Sequence, residues 1–314
     1  MRQLRLGDRT ITDDGPVYVI AELGCNHGGS VTVCRDMIRR AAACGVQAVK
    51  LQKRDIDTLY SRALLAQPYE HEASFGATYG AHRHALEFGE AAYVACRAQA
   101  QAAHVDFFAT AFDEPSADFL MRLGVPALKL ASGSLTDDPL LRHVSSLGVP
   151  LLLSTGGGTA TEIDRAMQIL TAQTSAVALL HCTAAYPVLN YAELNLRCIQ
   201  TLRDRYPETI IGWSGHDSGI AMAILAAALG ARIIEKHFTL NRASKGTDHA
   251  FSLEPVGFRK LVRDLERTRE ALGDGVKRFY PSEVAPISKM RRWLIHGRWQ
   301  IGTREEQTPH MRAS

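Results

Sequence analysis

Two histidines, two lysines and a set of hydroxyl side chains in this 314-residue chain lie in, or directly after, short apolar runs. His216 ends Ile210-Ile211-Gly212-Trp213-Ser214-Gly215-His216, and His237 ends Ile233-Ile234-Glu235-Lys236-His237. Brought side by side, two imidazoles could ligate one divalent ion and leave positions open for water and substrate oxygens. Two satisfied structural histidines are the competing reading. Lys50 in Ala48-Val49-Lys50-Leu51 and Lys129 in Leu128-Lys129-Leu130 sit where an ammonium cannot be solvated cheaply. With Thr110, Ser132, Ser154 and Ser214 at the ends of other apolar runs, they supply the groups of an anion pocket. Gly156-Gly157-Gly158, ahead of a helix starting near Thr159, would turn backbone amides toward the same anion.

Glu22 follows Val19-Ile20-Ala21 and precedes Asn26-His27-Gly28-Gly29. A carboxylate there suits acid–base work or a sugar hydroxyl, with an ion pair to Lys50 as the plainer alternative. Asp248 in Lys245-Gly246-Thr247-Asp248-His249 reads equally as a turn residue or a catalytic one. Tyr186-Pro187 reads as a rigid turn with a packing aromatic. Cys25 and Cys182 end apolar runs, and nothing around them marks a low-pKa thiol, so they read as small buried hydrophobes.

The elements that must hold these groups are eight compact apolar segments separated by amphipathic helical stretches. The segments are Val17–Ile20, Val49–Gln52, Phe107–Phe112, Leu128–Ser132, Leu151–Gly156, Ala178–Thr183, Ile210–His216 and Ile233–Thr239. Runs without alternation are the mark of strands buried on both faces, and strand–helix repetition is the mark of a parallel sheet. The predicted fold is an α/β (β/α)8 TIM barrel, which gathers every strand's carboxyl end on one face. Arg2–Arg9 with Asp13-Asp14-Gly15-Pro16 predicts a short N-terminal hairpin or lid. The barrel domain then covers residues 1–275, hairpin 1–16 included, and 276–314 reads as an irregular, linker-like tail. The loop Asp55–Phe88, with its aromatic and basic residues, predicts a folded lid over the substrate.

Bulk properties narrow the function. A net charge of +3 and the absence of long Lys/Arg runs argue against a nucleic-acid partner. The most apolar helical stretch, Gly219–Gly230, is short of the roughly 20 residues that span a bilayer, so no membrane is expected. Met1–Thr10 lacks a secretory apolar stretch, and six cysteines without a CxxC pair read as free thiols; a cytoplasmic location is the expectation.

Taken together, the stretches resemble the sialic acid synthase family, the phosphoenolpyruvate-dependent synthases of nine-carbon 2-keto-3-deoxy sugar acids. The likeness rests on Ile20-Ala21-Glu22-Leu23-Gly24-Cys25-Asn26-His27, Val49-Lys50-Leu51-Gln52, Thr78-Tyr79-Gly80-Ala81-His82-Arg83 and Leu128-Lys129-Leu130-Ala131-Ser132-Gly133. It continues through Ser154-Thr155-Gly156, His181-Cys182-Thr183-Ala184-Ala185-Tyr186-Pro187, Gly212-Trp213-Ser214-Gly215-His216, Glu235-Lys236-His237 and Lys245-Gly246-Thr247-Asp248-His249. Any one of these motifs is weak; the ordered set is specific.

The resemblance implies that His216 and His237 ligate a divalent metal, Mn(II) with Mg or Co as alternatives. It implies that Lys50, Thr110, Lys129, Ser132, Ser154 and Ser214 bind phosphoenolpyruvate, and that Glu22, Gln52, Tyr186 and Asp248 face the acceptor. The catalytic expectation falls on Glu22, Lys50 and Lys129. The implied reaction joins phosphoenolpyruvate to N-acetylmannosamine, a related N-acyl aldose or its 6-phosphate, with release of phosphate by C–O cleavage. Pseudaminic or legionaminic acid synthesis and N-acylneuraminate-9-phosphate synthesis are the alternatives, and His82, Arg83, His84 and Arg242 are candidates to hold an acceptor phosphate. Family members usually carry a C-terminal antifreeze-like (SAF) domain that caps the partner's site in a homodimer. Trp293–Ser314 is short for such a domain; a natural truncation, a separate capping protein as partner, and a loss of efficient sugar binding are the alternatives. A non-catalytic barrel is the distant alternative; it predicts eroded site residues, whereas the set is intact.

Overall fold

The computed structural model describes residues 2–301 other than Ser175 and His296. A first antiparallel pair, β1 (Gln3–Leu6) and β2 (Arg9–Thr12), precedes eight parallel strands. These are β3 (Tyr18–Glu22), β4 (Ala48–Lys53), β5 (Asp106–Ala111), β6 (Leu128–Leu130), β7 (Leu151–Ser154), β8 (Val177–Cys182), β9 (Ile210–Gly215) and β10 (Ile233–His237). They pair in chain order, and β10 closes on β3 to complete the barrel. Every predicted strand is present. β6 is shorter than Leu128–Ser132, because Ser132–Ser134 turns into a 3-10 helix.

The helices begin where the sequence supplies caps. Ser30, Thr78, Asp113, Asp137 and Thr159 each accept a backbone N–H of the first helical turn, and Thr159 with Glu162 forms a full capping box. Gly124, in the left-handed region at φ 74°, ends Glu114–Leu123. After β8 a 3-10 turn over Tyr191–Leu194 precedes the helix Cys198–Arg205.

Both faces of the barrel wall are buried, which is why its strands carry unbroken apolar runs. Near the floor the wall tolerates no side chain at Gly212. A Cβ there would lie 2.7 Å from the Ile233 carbonyl oxygen and 3.1 Å from Leu180 Cγ. Gly212→Ala should therefore destabilise the fold by about 1–3 kcal/mol through overpacking, read as a lower denaturation midpoint. An unchanged midpoint would show that β9 can shift to make room.

The N-terminal hairpin closes the amino end of the barrel and is not a lid over the carboxyl end. Leu4, Leu6 and Ile11 are buried in the core, and the Gly7 turn sits against Asp106 at the start of β5. Asp106 also accepts a 2.6 Å hydrogen bond from the Tyr18 hydroxyl. The carboxyl end is roofed by the β4 loop, which folds into helices Ile56–Leu59, Arg62–Leu65 and Tyr79–Leu86, as expected of a lid. His27 stacks on Phe88 with ring centroids 4.0 Å apart and anchors the loop's end.

The chain divides into two compact units between Ala271 and Leu272. The second contains a 3-10 turn (Pro281–Glu283), a short helix (Val284–Ser288) and an antiparallel pair, β11 (Trp293–Ile295) with β12 (Arg298–Gln300). The expected irregular tail therefore holds a small hairpin; its last stretch, 302–314, lies outside the described residues.

Candidate active site

Strand register sets the floor of the site. Glu22 on β3 is level with Lys50 on β4 and with His237 on β10. Thr110 on β5 is level with Lys129 on β6, and Ser214 on β9 with Glu235 on β10. All twelve residues singled out in the sequence line one cavity of about 550 Å³ at the carboxyl ends of the strands. They are Glu22, Lys50, Gln52, Thr110, Lys129, Ser132, Ser154, Tyr186, Ser214, His216, His237 and Asp248.

Two buried ammonium groups dominate the floor. Lys50 Nζ donates to Thr110 Oγ1 at 2.7 Å, lies 2.6 Å from Glu22 Oε2, and is 3.9 Å from Glu235 Oε1. Lys129 is 2 % exposed, donates to Ser154 Oγ at 2.6 Å and to the Leu130 carbonyl at 3.0 Å. Among the described residues no carboxylate stands within 4.0 Å of it, and burial pushes its pKa down. A buried cation whose hydrogen bonds all go to neutral groups attracts an anion.

Two carboxyls share the Lys50 ammonium, and their environments drive them apart. Burial and the nearby Glu235 charge raise Glu22 to about 7, against the pull of Lys50. Burial opposes ionisation of Glu235 too, yet Lys129, Lys50 and His237 outweigh it and hold that carboxyl at about 2. Two carboxylates sharing one site cannot both ionise freely, so the proton resides on Glu22. Gln52 Nε2 donates to Glu22 Oε1 at 2.8 Å and fixes the carboxyl's plane.

His216 and His237 come from the neighbouring strand ends of β9 and β10, with ring centroids 5.4 Å apart. His216 Nδ1 lies 3.0 Å from the Thr183 carbonyl, which fixes the proton on that nitrogen and leaves the Nε2 lone pair available. Burial, then His237, lowers the pKa of His216 to about 4, and burial lowers that of His237. His237 Nδ1 is buried without a hydrogen-bond partner and is 3.6 Å from Asp248 Oδ2. Neutral, oriented imidazoles with an unused ring nitrogen fit a divalent cation. Among the described residues no cluster of three or more His, Cys, Asp or Glu is placed to hold one, so a cation here would draw on this pair alone. Tyr186 covers His216 at 4.2 Å between centroids, and Phe251 packs against both imidazoles.

One expectation changes in part. The Gly156 amide already donates to Ser132 Oγ at 3.0 Å, and the Gly158 amide donates to the Thr155 carbonyl. Two of the run's three amides are thus spent within the protein, the first of them orienting Ser132. His181, at the end of β8, places Nε2 2.7 Å from the Leu194 carbonyl and lines a different cavity. Of the two cysteines, Cys182 is buried and Cys25 half-buried; both line the cavity, and burial raises the Cys182 thiol and pushes Cys25 up to about 11.

Glu235 and Arg54 escaped the sequence reading, although both line the cavity. The signal was parity. Glu235 is two residues before His237 on β10, and Arg54 is two beyond Gln52 and four beyond Lys50, so each shares its neighbours' inward face.

Comparison with known proteins agrees with this geometry. A model of the NeuB family matches residues 37–277. An N-acetylneuraminate-9-phosphate synthase of Mus musculus is 36% identical over 280 residues, covering 89% of this chain and 78% of the relative. An N,N'-diacetyllegionaminic acid synthase of Legionella pneumophila is 34% identical over 281 residues, covering 88% of this chain and 78% of the relative. Among solved structures, an N-acetylneuraminic acid (sialic acid) synthetase of Leptospira borgpetersenii, crystallised with citrate, superposes with a TM-score of 0.79. It shares 36% identity and covers 91% of this chain and 95% of its own.

Proposed function

The chain belongs to the NeuB family and is a phosphoenolpyruvate-dependent synthase of the transferase class, and we propose that it condenses phosphoenolpyruvate with N-acetylmannosamine or a related N-acyl aldose. The products are a nine-carbon 2-keto-3-deoxy sugar acid of the sialic acid type and inorganic phosphate. The observation that carries this reading is the pairing, in one cavity, of an anion-binding floor with a near-neutral carboxyl and two adjacent imidazoles.

In this reading Lys50, Lys129, Thr110, Ser132, Ser154 and Ser214 hold the phosphate and carboxylate of phosphoenolpyruvate. Lys129, with no carboxylate partner, gives the strongest attraction. Gln52, Tyr186 and Asp248 orient the open-chain acceptor with its carbonyl toward the imidazoles. A divalent cation on His216 and His237, Mn(II) with Mg or Co as alternatives, would supply Lewis-acid polarisation of that carbonyl oxygen.

C3 of phosphoenolpyruvate then forms the new bond to the aldehyde carbon, and the carbonyl electron pair moves to oxygen, which takes a proton from Glu22. Cationic character at C2 is met by water, whose proton returns to Glu22. The tetrahedral C2 expels phosphate with the bridging oxygen, by C–O cleavage; the proton of its new hydroxyl passes to the departing phosphate, and C2 becomes the ketone. Glu235 stays ionised and holds Lys50 and Ser214 in place.

The test is phosphate release from phosphoenolpyruvate with a panel of N-acyl aldoses, with and without Mn(II). Release that needs both aldose and cation supports the reading. No release with any acceptor, at any cation concentration, contradicts it.

A further inference from the structure

Resting on the reading of His216 and His237 as the holders of a divalent cation, we propose that the buried ion pair of Lys236 and Asp217 is a positioning pair. It sets the spacing and mutual angle of the two imidazoles, and with them the affinity for the cation.

Asp217 directly follows His216, and Lys236 directly precedes His237. Side chains alternate along a strand, so with Glu235 and His237 facing the cavity, Lys236 points to the outer face of the barrel wall. The pairing of β9 with β10 ends at Gly215 opposite Lys236, before either histidine is reached. His237 is then held on the β3 side, level with Glu22, while His216 lies just beyond β9. The Lys236 side chain continues the link where the backbone ladder stops. Its Nζ donates to the Asp217 carbonyl at 2.6 Å and to Asp217 Oδ1 at 2.8 Å. Bonds to the main chain and the side chain of one residue fix both the position and the direction of the backbone that carries His216. Trp213 closes the cluster from outside. Lys236 Nζ lies 5.5 Å from its ring centroid, and the ring covers Gly215 so closely that a Cβ there would be 1.9 Å from Trp213 Cη2.

The other polar contacts of His216, its ring with the Thr183 carbonyl and its carbonyl with the Val188 amide, come from the β8 side. Phe251 packs against both imidazoles but, being apolar, gives them no directional bond. Packing alone needs no charge where the pair lies. Lys236 and Asp217 are fully buried, and Asp217 Oδ2 has no hydrogen-bond partner. Apolar side chains of similar volume usually fill such a place with no loss of stability. What an ion pair adds is a fixed length and direction, which two ligands carried on separate strands require.

The experiment measures Mn(II) affinity by calorimetry, phosphoenolpyruvate affinity in the presence of chelator, and the thermal midpoint. It compares the intact protein with Lys236→Arg and with the double variant Lys236→Met/Asp217→Val. The double variant removes one charge of each sign, so the net charge beside the imidazoles is unchanged. Its midpoint and its phosphoenolpyruvate affinity should match the intact protein, while its Kd for Mn(II) should rise by about 10–100-fold, the usual scale for groups that orient metal ligands. Intact-like Mn(II) affinity in the double variant overturns the proposal. So does an equal loss of phosphoenolpyruvate affinity, which would mark a distortion of the whole cavity. Should the double variant not fold, Lys236→Arg decides, because it keeps the charge but alters the length and plane of the link. It should weaken Mn(II) by about tenfold, and an unchanged Kd overturns the proposal. If the intact protein binds no Mn(II), the cation reading falls and this proposal with it; if intact protein and variants bind it equally, the positioning role alone falls.

Discussion

Glutamine in place of Glu22 will cut kcat by about 10²–10⁴-fold, the usual cost of losing a general acid–base group, while leaving the fold in place. The size of the effect follows from where the proton sits. Glu22 is buried, shares Lys50 with Glu235, and titrates at about 7, whereas Glu235 is held ionised at about 2. Carbon–carbon bond formation consumes the protonated carboxyl. Activity of the intact protein should therefore fall as pH rises through about 7, when that proton is lost. Lys50 can still donate to a glutamine oxygen, so the cavity need not collapse. A pH profile of kcat in both proteins makes the comparison: the limb near 7 should be present in one and missing in the other. An unchanged rate would remove Glu22 from the mechanism, and a limb retained in Glu22→Gln would assign the titration to another group.

Alanine at His216 or His237 should lower kcat/KM by about 10³-fold or more, since polarising a carbonyl oxygen is a matter of several kcal/mol. Chelation of the intact protein should produce the same loss, reversed by added Mn(II), while the variants stay inactive at the same metal concentration. A readout independent of turnover is Mn(II) binding by calorimetry, which should be strong in the intact protein and weak in each variant. The pair suits a cation because burial keeps both rings neutral and the Thr183 carbonyl selects the tautomer of His216. Below pH of about 4, protonation of His216 should compete with the cation, so binding weakens on the acid side. Metal-independent turnover, or binding that ignores both substitutions, would reduce the imidazoles to packing groups.

Much of this was legible in the sequence because the barrel encodes itself simply. Strands buried on both faces must be apolar throughout, so a Lys inside Ala48-Val49-Lys50-Leu51 or a His ending Ile233–His237 stands out as chemistry. Paired neighbours along the chain then fix which groups meet, and His216 and His237 do end adjacent strands. What escaped depends on inward parity and on hydrogen-bond competition. Glu235 and Arg54 read as ordinary strand charges until register places them on the face shared by His237 and Lys50. The glycine run after β7 has the composition of an anion nest, but the amides of Gly156 and Gly158 are spent on Ser132 and Thr155, which sequence spacing does not reveal. The N-terminal hairpin could have closed either end, and only the contacts of Gly7 and Tyr18 with Asp106 decide for the amino end.

The central claim is that this cavity joins the three carbons of phosphoenolpyruvate to an aldose and releases phosphate by breaking a C–O bond. Turnover in ¹⁸O-labelled water, with mass analysis of both products, tests it most directly. The account predicts a keto acid extended by three carbons and one equivalent of phosphate free of solvent label. Phosphate carrying solvent ¹⁸O, or phosphate released without the extended acid, would contradict it.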